Sequence, residues 1–329
     1  MAKKENVKKE STGKSIDDIL DSYSRTEREF QIDTGIAALN ELWGGGITPG
    51  YMYSFWGEAG CGKSTLSIQI AKAYAKAGRR VVILDSEKAV NDLMIDSMGI
   101  REYVDNKTIR PLRVSNYGDV EDILAVITKG DFQLVIWDSE SQTRIVTPEE
   151  LRVEDVRPGL KALQGGFIIN KMKDVLSAAN IPSLVLFHAR ANIVIKGYNN
   201  GSATKQAGGY AALHVPDIIT KIELHGQCKE NKDDKEEAPY GVNVTLVTTK
   251  NKFAAPFVPL SRKLVYGKGI SKRIEVVDMA IDAELIAKGG GGYYTVLPGT
   301  ANEVKARGLK ALYDLPAETL KVLQEALSS

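Results

Sequence analysis

The chain has 329 residues, 43% of them apolar and 26% charged, with a formal net charge of +1. That size allows one large core with a smaller domain beside it, and the near-neutral balance excludes a global basic field, so any nucleic-acid contact must come from local basic segments. Two cysteines, Cys61 and Cys228, exclude a disulfide scaffold and fit a reducing compartment, and no stretch reaches the ~20 continuous apolar residues of a membrane helix.

Residues 1–15, MAKKENVKKESTGKS, are polar and lysine-rich. They read as a tail rather than a secretory leader, and a cytoplasmic location is expected. In SIDDILDSYSRTEREF, Ser15 can cap a helix whose Ile16, Ile19, Leu20 and Tyr23 share one face. Such a helix packs either on its own domain or on a neighbouring subunit. From Ile32 the pattern is α/β. YMYSFW, RRVVILD, FQLVIWD and PSLVLFH are continuous apolar runs, the mark of parallel strands covered on both faces. Helical stretches between them supply the crossovers. DIITKIEL and VNVTLVTTKNK follow, joined by the charged HGQCKENKDDKEEAPYG, which reads as a solvated hairpin tip. After RKLVYGKGISKR come a helix, a glycine-rich turn with one small strand, and two helices. The last of these starts at LPAETLKVLQEAL, with Pro and Glu early. The expected organisation is a tail and N-terminal oligomerisation helix over 1–31, an α/β core over 32–266 and a small α/β C-terminal domain over 267–329.

Ligands of open parallel sheets bind beyond the carboxyl ends of the strands, and the polar motifs lie there. After YMYSFW comes Gly57-Glu58-Ala59-Gly60-Cys61-Gly62-Lys63-Ser64-Thr65, a full G-x-x-x-x-G-K-[ST] phosphate loop. Its glycines let backbone N–H groups face phosphate oxygens. Lys63 neutralises the terminal phosphates, Ser64 ligates Mg²⁺, and the helix from Thr65 adds its positive end. Cys61 reads as a small loop residue. Beyond RRVVILD, Glu87 can orient and deprotonate an attacking water or merely cap a helix. Asp138, closing FQLVIWD, is placed to hold Mg²⁺ through a water. His188, closing PSLVLFH, either touches the terminal phosphate or is a hydrogen-bonded core histidine. The long loop after it offers Lys196, Tyr198 and Lys205, two cations and one stacking ring, as a single-strand binder needs.

With these residues in place, the chain resembles the RecA family of recombinases from about residue 32 to its end. IDTGIAALNELWGGGITPGYMYSFWGEAGCGKSTL, LDSEKA, LVIWDS and GGYAALHVPDIITKIEL occur in the family's order. TTKNKFAAPF and LVYGKGI, with VVDMAI and LIAKGGGGYY after them, are the most specific segments. The resemblance implies a RecA-like P-loop NTPase core with a mostly parallel central sheet. It also implies that Glu87 is the catalytic carboxylate, and that Lys250 and Lys252 reach the ATP of a neighbouring subunit. Residues 151–158, with Arg152 and Arg157, are implied as a first DNA-binding loop. Residues from Arg190 through Gly208 and Gly209 are implied as a second. The N-terminal helix then docks on a neighbour. At the family's glutamine sensor position stands His188, similar to phage recombinases such as UvsX. In the adenine pocket Asn91 and Met94 replace the family's Asp and Tyr. The implied function is a DNA-dependent ATPase, with ATP and Mg²⁺, that forms helical filaments on single-stranded DNA and pairs it with homologous duplex. The alternatives are a ring-shaped RecA-fold motor and a nucleotide-gated interaction protein.

Overall fold

The computed structural model describes residues 31–146, 159–191, 204–229 and 238–328. The expected N-terminal helix lies outside them. In chain order the elements are α1 (Ala37–Trp43), β1 (Met52–Gly57), α2 (Lys63–Lys76), β2 (Val81–Asp85), α3 (Asp92–Ser97), α4 (Arg101–Asp105), β3 (Ile109–Arg113), α5 (Tyr117–Ile127) and β4 (Leu134–Asp138). A 3-10 turn (Glu140–Gln142) leads to α6 (Leu160–Ala178), β5 (Ser183–Ala191), β6 (Thr204–Gln206), α7 (Gly209–His214), β7 (Ile218–Cys228), β8 (Gly241–Lys250), β9 (Pro259–Val265) and β10 (Gly269–Ile270). Last come α8 (Lys272–Asp282), β11 (Ile286–Lys288), β12 (Tyr293–Val296), β13 (Val304–Arg307), α9 (Gly308–Tyr313) and α10 (Ala317–Ser328).

The main sheet has the order β10-β9-β8-β7-β1-β5-β4-β2-β3, with β6 paired to the far end of β5. From β7 to β3 every neighbour is parallel. The β8, β9 and β10 edge is antiparallel. The apolar runs are continuous because each parallel strand feeds two cores in alternation. Tyr53 and Phe55, Ile83, Ile136 and Leu186 face one cluster. Trp56, Leu84, Trp137 and Phe187 face the other. In the first, Trp43 packs at a tilt against Tyr53 with ring centroids 4.5 Å apart, and its Nε1 donates to Thr220 Oγ1 at 2.9 Å. In the second, Trp137 meets the edge of Tyr117 at 6.1 Å and donates to Thr143 Oγ1 at 3.0 Å. Trp137→Ala is expected to lower stability by about 3–5 kcal/mol, the range for deleting a large buried aromatic. The midpoint of urea unfolding, read by far-UV circular dichroism, checks it.

Two differences from the expected elements have plain causes. β3, IRPLR, is an additional strand whose charges and Pro111 disguise it. At the sheet edge a missing N–H costs no ladder bond, and Pro111 sits there opposite Ile83. The C-terminal part holds three strands, β11, β12 and β13, where one was expected. They are three or four residues long, too short to display a two-residue period. Their sheet packs with α8 and α10 around Val277, Val296, Leu312 and Leu323, a cluster distinct from the two flanking the main sheet. Glu275 of α8 ties that part to the core: its carboxylate accepts from the backbone N–H groups of Ala37 and Ala38, the otherwise unpaired donors of α1. The stem of the β7–β8 hairpin closes at Cys228 opposite Gly241, and its charged tip lies outside the described residues.

Candidate functional site

Strand register assembles the site. Gly57 at the end of β1 pairs with His188 in β5, and Asp85 at the end of β2 pairs with Asp138 at the end of β4. With β1, β5, β4 and β2 adjacent in that order, the phosphate loop, His188, Asp138 and Glu87 line one edge of the sheet.

The loop itself is shaped by its glycines. Gly60 and Gly62 have φ of 77° and 95°, in the left-handed region. A Cβ on Gly57 would lie 2.4 Å from the carbonyl oxygen of Ile222. Lys63 opens α2 and is 6% exposed. Its Nζ donates to the carbonyl oxygens of Gly57 (3.0 Å) and Glu58 (2.8 Å). A cation whose nearest partners are uncharged carbonyls of a phosphate loop is poised for a more negative ligand. Cys61 is fully buried, and burial pushes its thiol up. It is a small packing residue and not a reactive thiolate.

The acidic groups divide by environment. Burial, with Glu87 and Asp85 adding their charge, pushes Asp138 up to about 7 against the hydrogen bond from Ser64 and the field of Lys63. A buried carboxylate short of positive charge, with a serine hydroxyl against it, fits one side of an Mg²⁺ shell completed by phosphate oxygens and water. Among the described residues no group of three or more His, Cys, Asp or Glu could hold an ion by itself, so Ser64 and Asp138 need the nucleotide to complete such a shell. Glu87 behaves oppositely. Burial raises it, but hydrogen bonds from His188 and Ser139, and the fields of His188 and Lys63, bring it below the usual carboxylate range. Its Oε1 lies 2.7 Å from His188 Nε2 and also accepts from Ser139 Oγ. The helix-cap alternative for Glu87 is not what the geometry displays. Histidine and carboxylate face each other at the mouth of the phosphate loop.

Sequence reasoning missed the supports. Asp85 is buried, accepts from the N–H groups of Ala89 (3.0 Å) and Val90 (3.1 Å) and pairs with Arg113. It thereby fixes the turn that presents Glu87. Ser139 was hidden as the residue after the Asp. An acid ending an apolar strand three to five residues before free backbone N–H groups is the signal that could have found Asp85.

Other expected site residues lie apart. Asn91 accepts from Met94 N at 3.0 Å and so caps α3, while Met94 packs against the first core cluster. Lys250 donates to the carbonyls of His214 and Pro216, each at 2.6 Å. Lys252 pairs with Asp217 at 2.5 Å, beside Lys173 at 2.8 Å. Asp217 accepts from Met52 N, at the start of β1. The chain's own phosphate loop follows the other end of that strand, roughly 17 Å away at 3.3 Å per residue. Neither lysine therefore sits at the site of its own chain. Arg190 in β5 pairs through its backbone with Lys205 in β6, and Ala207 N donates to the carbonyl of His188 at 2.8 Å. Gly208 and Gly209, both at positive φ, turn the chain into α7. A Cβ on Gly208 would lie 2.7 Å from that of Ala212. Arg152, Arg157, Lys196 and Tyr198 lie outside the described residues. Among the described residues no helix is long and apolar enough to cross a membrane.

The model of the RecA N-terminal domain family matches residues 5–271. Protein RecA of Fusobacterium nucleatum subsp. nucleatum is 26% identical over 304 residues, covering 90% of this chain and 76% of that protein. Protein RecA of Caulobacter sp. (strain K31) is 28% identical over 303 residues, covering 91% and 82%. A crystal structure of the RadB recombinase is similar in fold, with a TM-score of 0.52 at 18% identity over 73% of this chain and 98% of that chain.

Proposed function

Because the chain belongs to the RecA family, we propose that it is an ATP-dependent DNA recombinase that assembles as a filament on single-stranded DNA and exchanges strands with homologous duplex. The observation that carries this reading is the course of β5. One strand brings His188 to Glu87 at the nucleotide site and, two residues later, Arg190 to the start of the expected second DNA-binding loop. A change at the terminal phosphate is thereby felt at the DNA.

In this mechanism the backbone N–H groups of the 57–65 loop and Lys63 bind the phosphates of ATP. Ser64 and Asp138 would hold Mg²⁺, which when bound would neutralise charge on the phosphate oxygens. Glu87, kept ionised, aligns the attacking water and accepts its proton. Ser139 and His188 hold the carboxylate in place. Lys250 and Lys252, distant from their own loop, serve the ATP of the adjacent subunit, so the complete site forms only in the polymer. Asn91 and Met94 border the adenine. Arg152, Arg157, Lys196, Tyr198 and Lys205 join Arg190 on the DNA backbone and bases, and sequence is read by base pairing rather than by side chains. The phage branch of the family, to which His188 is similar, is part of the same proposal, as is a cytoplasmic location.

ATP hydrolysis with and without single-stranded DNA, with negative-stain images of the same samples, tests the reading. DNA-stimulated hydrolysis on helical filaments is expected. Closed rings would favour the motor, and absence of any DNA response would leave only a nucleotide-binding fold. The shared site makes a sharper prediction. A Lys63→Ala chain and a Lys250→Ala/Lys252→Ala chain are each expected to lack DNA-stimulated turnover alone. Mixed, they should regain part of it, because an intact loop of one meets intact lysines of the other. A mixture as inactive as its components would place the lysines elsewhere.

A further inference from the structure

The 3-10 turn after Asp138–Ser139 carries an acid that the mechanism above does not use. Glu140 is 1% exposed. Its Oε1 accepts from the Tyr117 hydroxyl at 2.7 Å, and its Oε2 is buried with no hydrogen-bond partner among the described residues. Room for this pair is made by Gly165, in the second turn of α6. A Cβ there would lie 2.5 Å from Glu140 Oε1 and 2.7 Å from the Tyr117 hydroxyl oxygen. A glycine inside a helix is destabilising relative to alanine, and a buried carboxylate is costly unless compensated. Both costs recur at one point, which marks a built slot.

The turn is tied at both ends. On the nucleotide side, Ser139 Oγ donates to Glu87, and the Ser139 carbonyl accepts from Ser86 Oγ at 2.7 Å and Thr143 Oγ1 at 2.9 Å. On the other side, Ser141 Oγ accepts from His188 N at 2.9 Å, and the Ser141 carbonyl accepts from Lys161 Nζ at 2.5 Å. Lys161 lies two residues into the described chain after the expected first DNA loop, and Arg190 lies just before the second. Burial pushes the Glu140 carboxyl up, opposed by the Tyr117 hydrogen bond and by the fields of these two cations.

We propose that Glu140 is the positioning residue that couples the nucleotide site to the chain flanking both DNA-binding segments: locked by Tyr117 in the slot left by Gly165, it holds the 139–143 turn, whose Ser139 meets Glu87 and whose Ser141 takes the Lys161 ammonium on its carbonyl and the His188 N–H of β5 on its hydroxyl. A DNA phosphate competes with the Ser141 carbonyl for Lys161, and the nucleotide reaches the contest through Glu87, Ser139 and the turn. This inference rests on the recombinase reading. The coupling is a free energy shared by two sites, so it reads out as the factor by which nucleotide changes DNA affinity.

The experiment measures single-stranded DNA affinity, by fluorescence anisotropy of a labelled oligonucleotide, with and without a non-hydrolysable ATP analogue. Glu140→Gln keeps the shape of the side chain and an acceptor for Tyr117 but removes the charge. It is expected to bind DNA more tightly without nucleotide, and to shrink the nucleotide-dependent gain by about five-fold or more, the low end of allosteric couplings. DNA-free ATP hydrolysis, measured alongside, reads whether Ser139 still holds Glu87 in the variant. If Glu140→Gln does not fold, Tyr117→Phe carries the test by the same criterion, because its ring still packs on Trp137. A folded variant with the wild-type nucleotide-dependent gain overturns the inference alone. Wild-type protein whose DNA affinity ignores the nucleotide overturns the recombinase reading and this inference with it.

Discussion

Lys63→Ala is expected to lower ATP turnover by at least about 100-fold, the cost of removing one preorganised charge from a developing phosphate anion. The fold should survive. Lys63 makes its hydrogen bonds to two carbonyls of its own loop, and α2 continues for a further 13 residues beyond it, so an alanine at the helix start is well tolerated. The loss is therefore catalytic and not structural. Steady-state phosphate release with saturating single-stranded DNA measures it, and an unchanged circular dichroism spectrum separates it from unfolding. Lys63→Arg should not restore turnover. The guanidinium is larger and planar, and the ammonium it would replace is enclosed at 6% exposure. Turnover at the wild-type level in Lys63→Ala would contradict the phosphate-loop assignment.

Glu87→Gln is expected to assemble on DNA with ATP and to hydrolyse it about 100- to 10,000-fold more slowly, the range for loss of a positioned general base. The amide oxygen still accepts from Ser139 and stands at the same distance from His188, so the contacts that hold the side chain persist. What disappears is the ionised carboxylate that the hydrogen bonds from His188 and Ser139 maintain against burial. Because binding survives and cleavage does not, the variant should form filaments that outlast those of the parent chain. Electron micrographs over time, paired with single-turnover hydrolysis, read both halves of the prediction. Normal hydrolysis in Glu87→Gln would move the water-positioning role to another residue. Failure to assemble would mean that the carboxylate serves the ATP-bound conformation and not only its cleavage.

The chemistry at the strand ends is local and was legible in the sequence. The phosphate loop is nine contiguous residues after an apolar run, from Gly57 to Thr65, and its spacing is dictated by phosphate geometry whatever surrounds it. Asp138, Glu87 and His188 were found because each ends, or directly follows, a strand buried on both faces. Such strands announce themselves by composition. The small strands β11, β12 and β13 and the proline-bearing β3 were not legible, since an edge or a three-residue strand carries no pattern that burial enforces.

Sequence by itself determined the α/β class, the nucleotide loop and the carboxylates beside it. Only the tertiary structure decided what those groups do to one another. Glu87 meets Ser139 and His188 across 52 and 101 residues of chain, contacts created by the order β5-β4-β2 and by register, neither of which a one-dimensional pattern records. The same order carries Lys250 and Lys252 to the far end of β1, away from the phosphate loop of their own chain. It also brings Tyr117, Glu140 and Gly165 from three elements into one slot. Spacing along a chain specifies what a strand end can bind. Pairing between strands specifies which ends meet, because it is set by the summed packing of two cores and not by any residue alone.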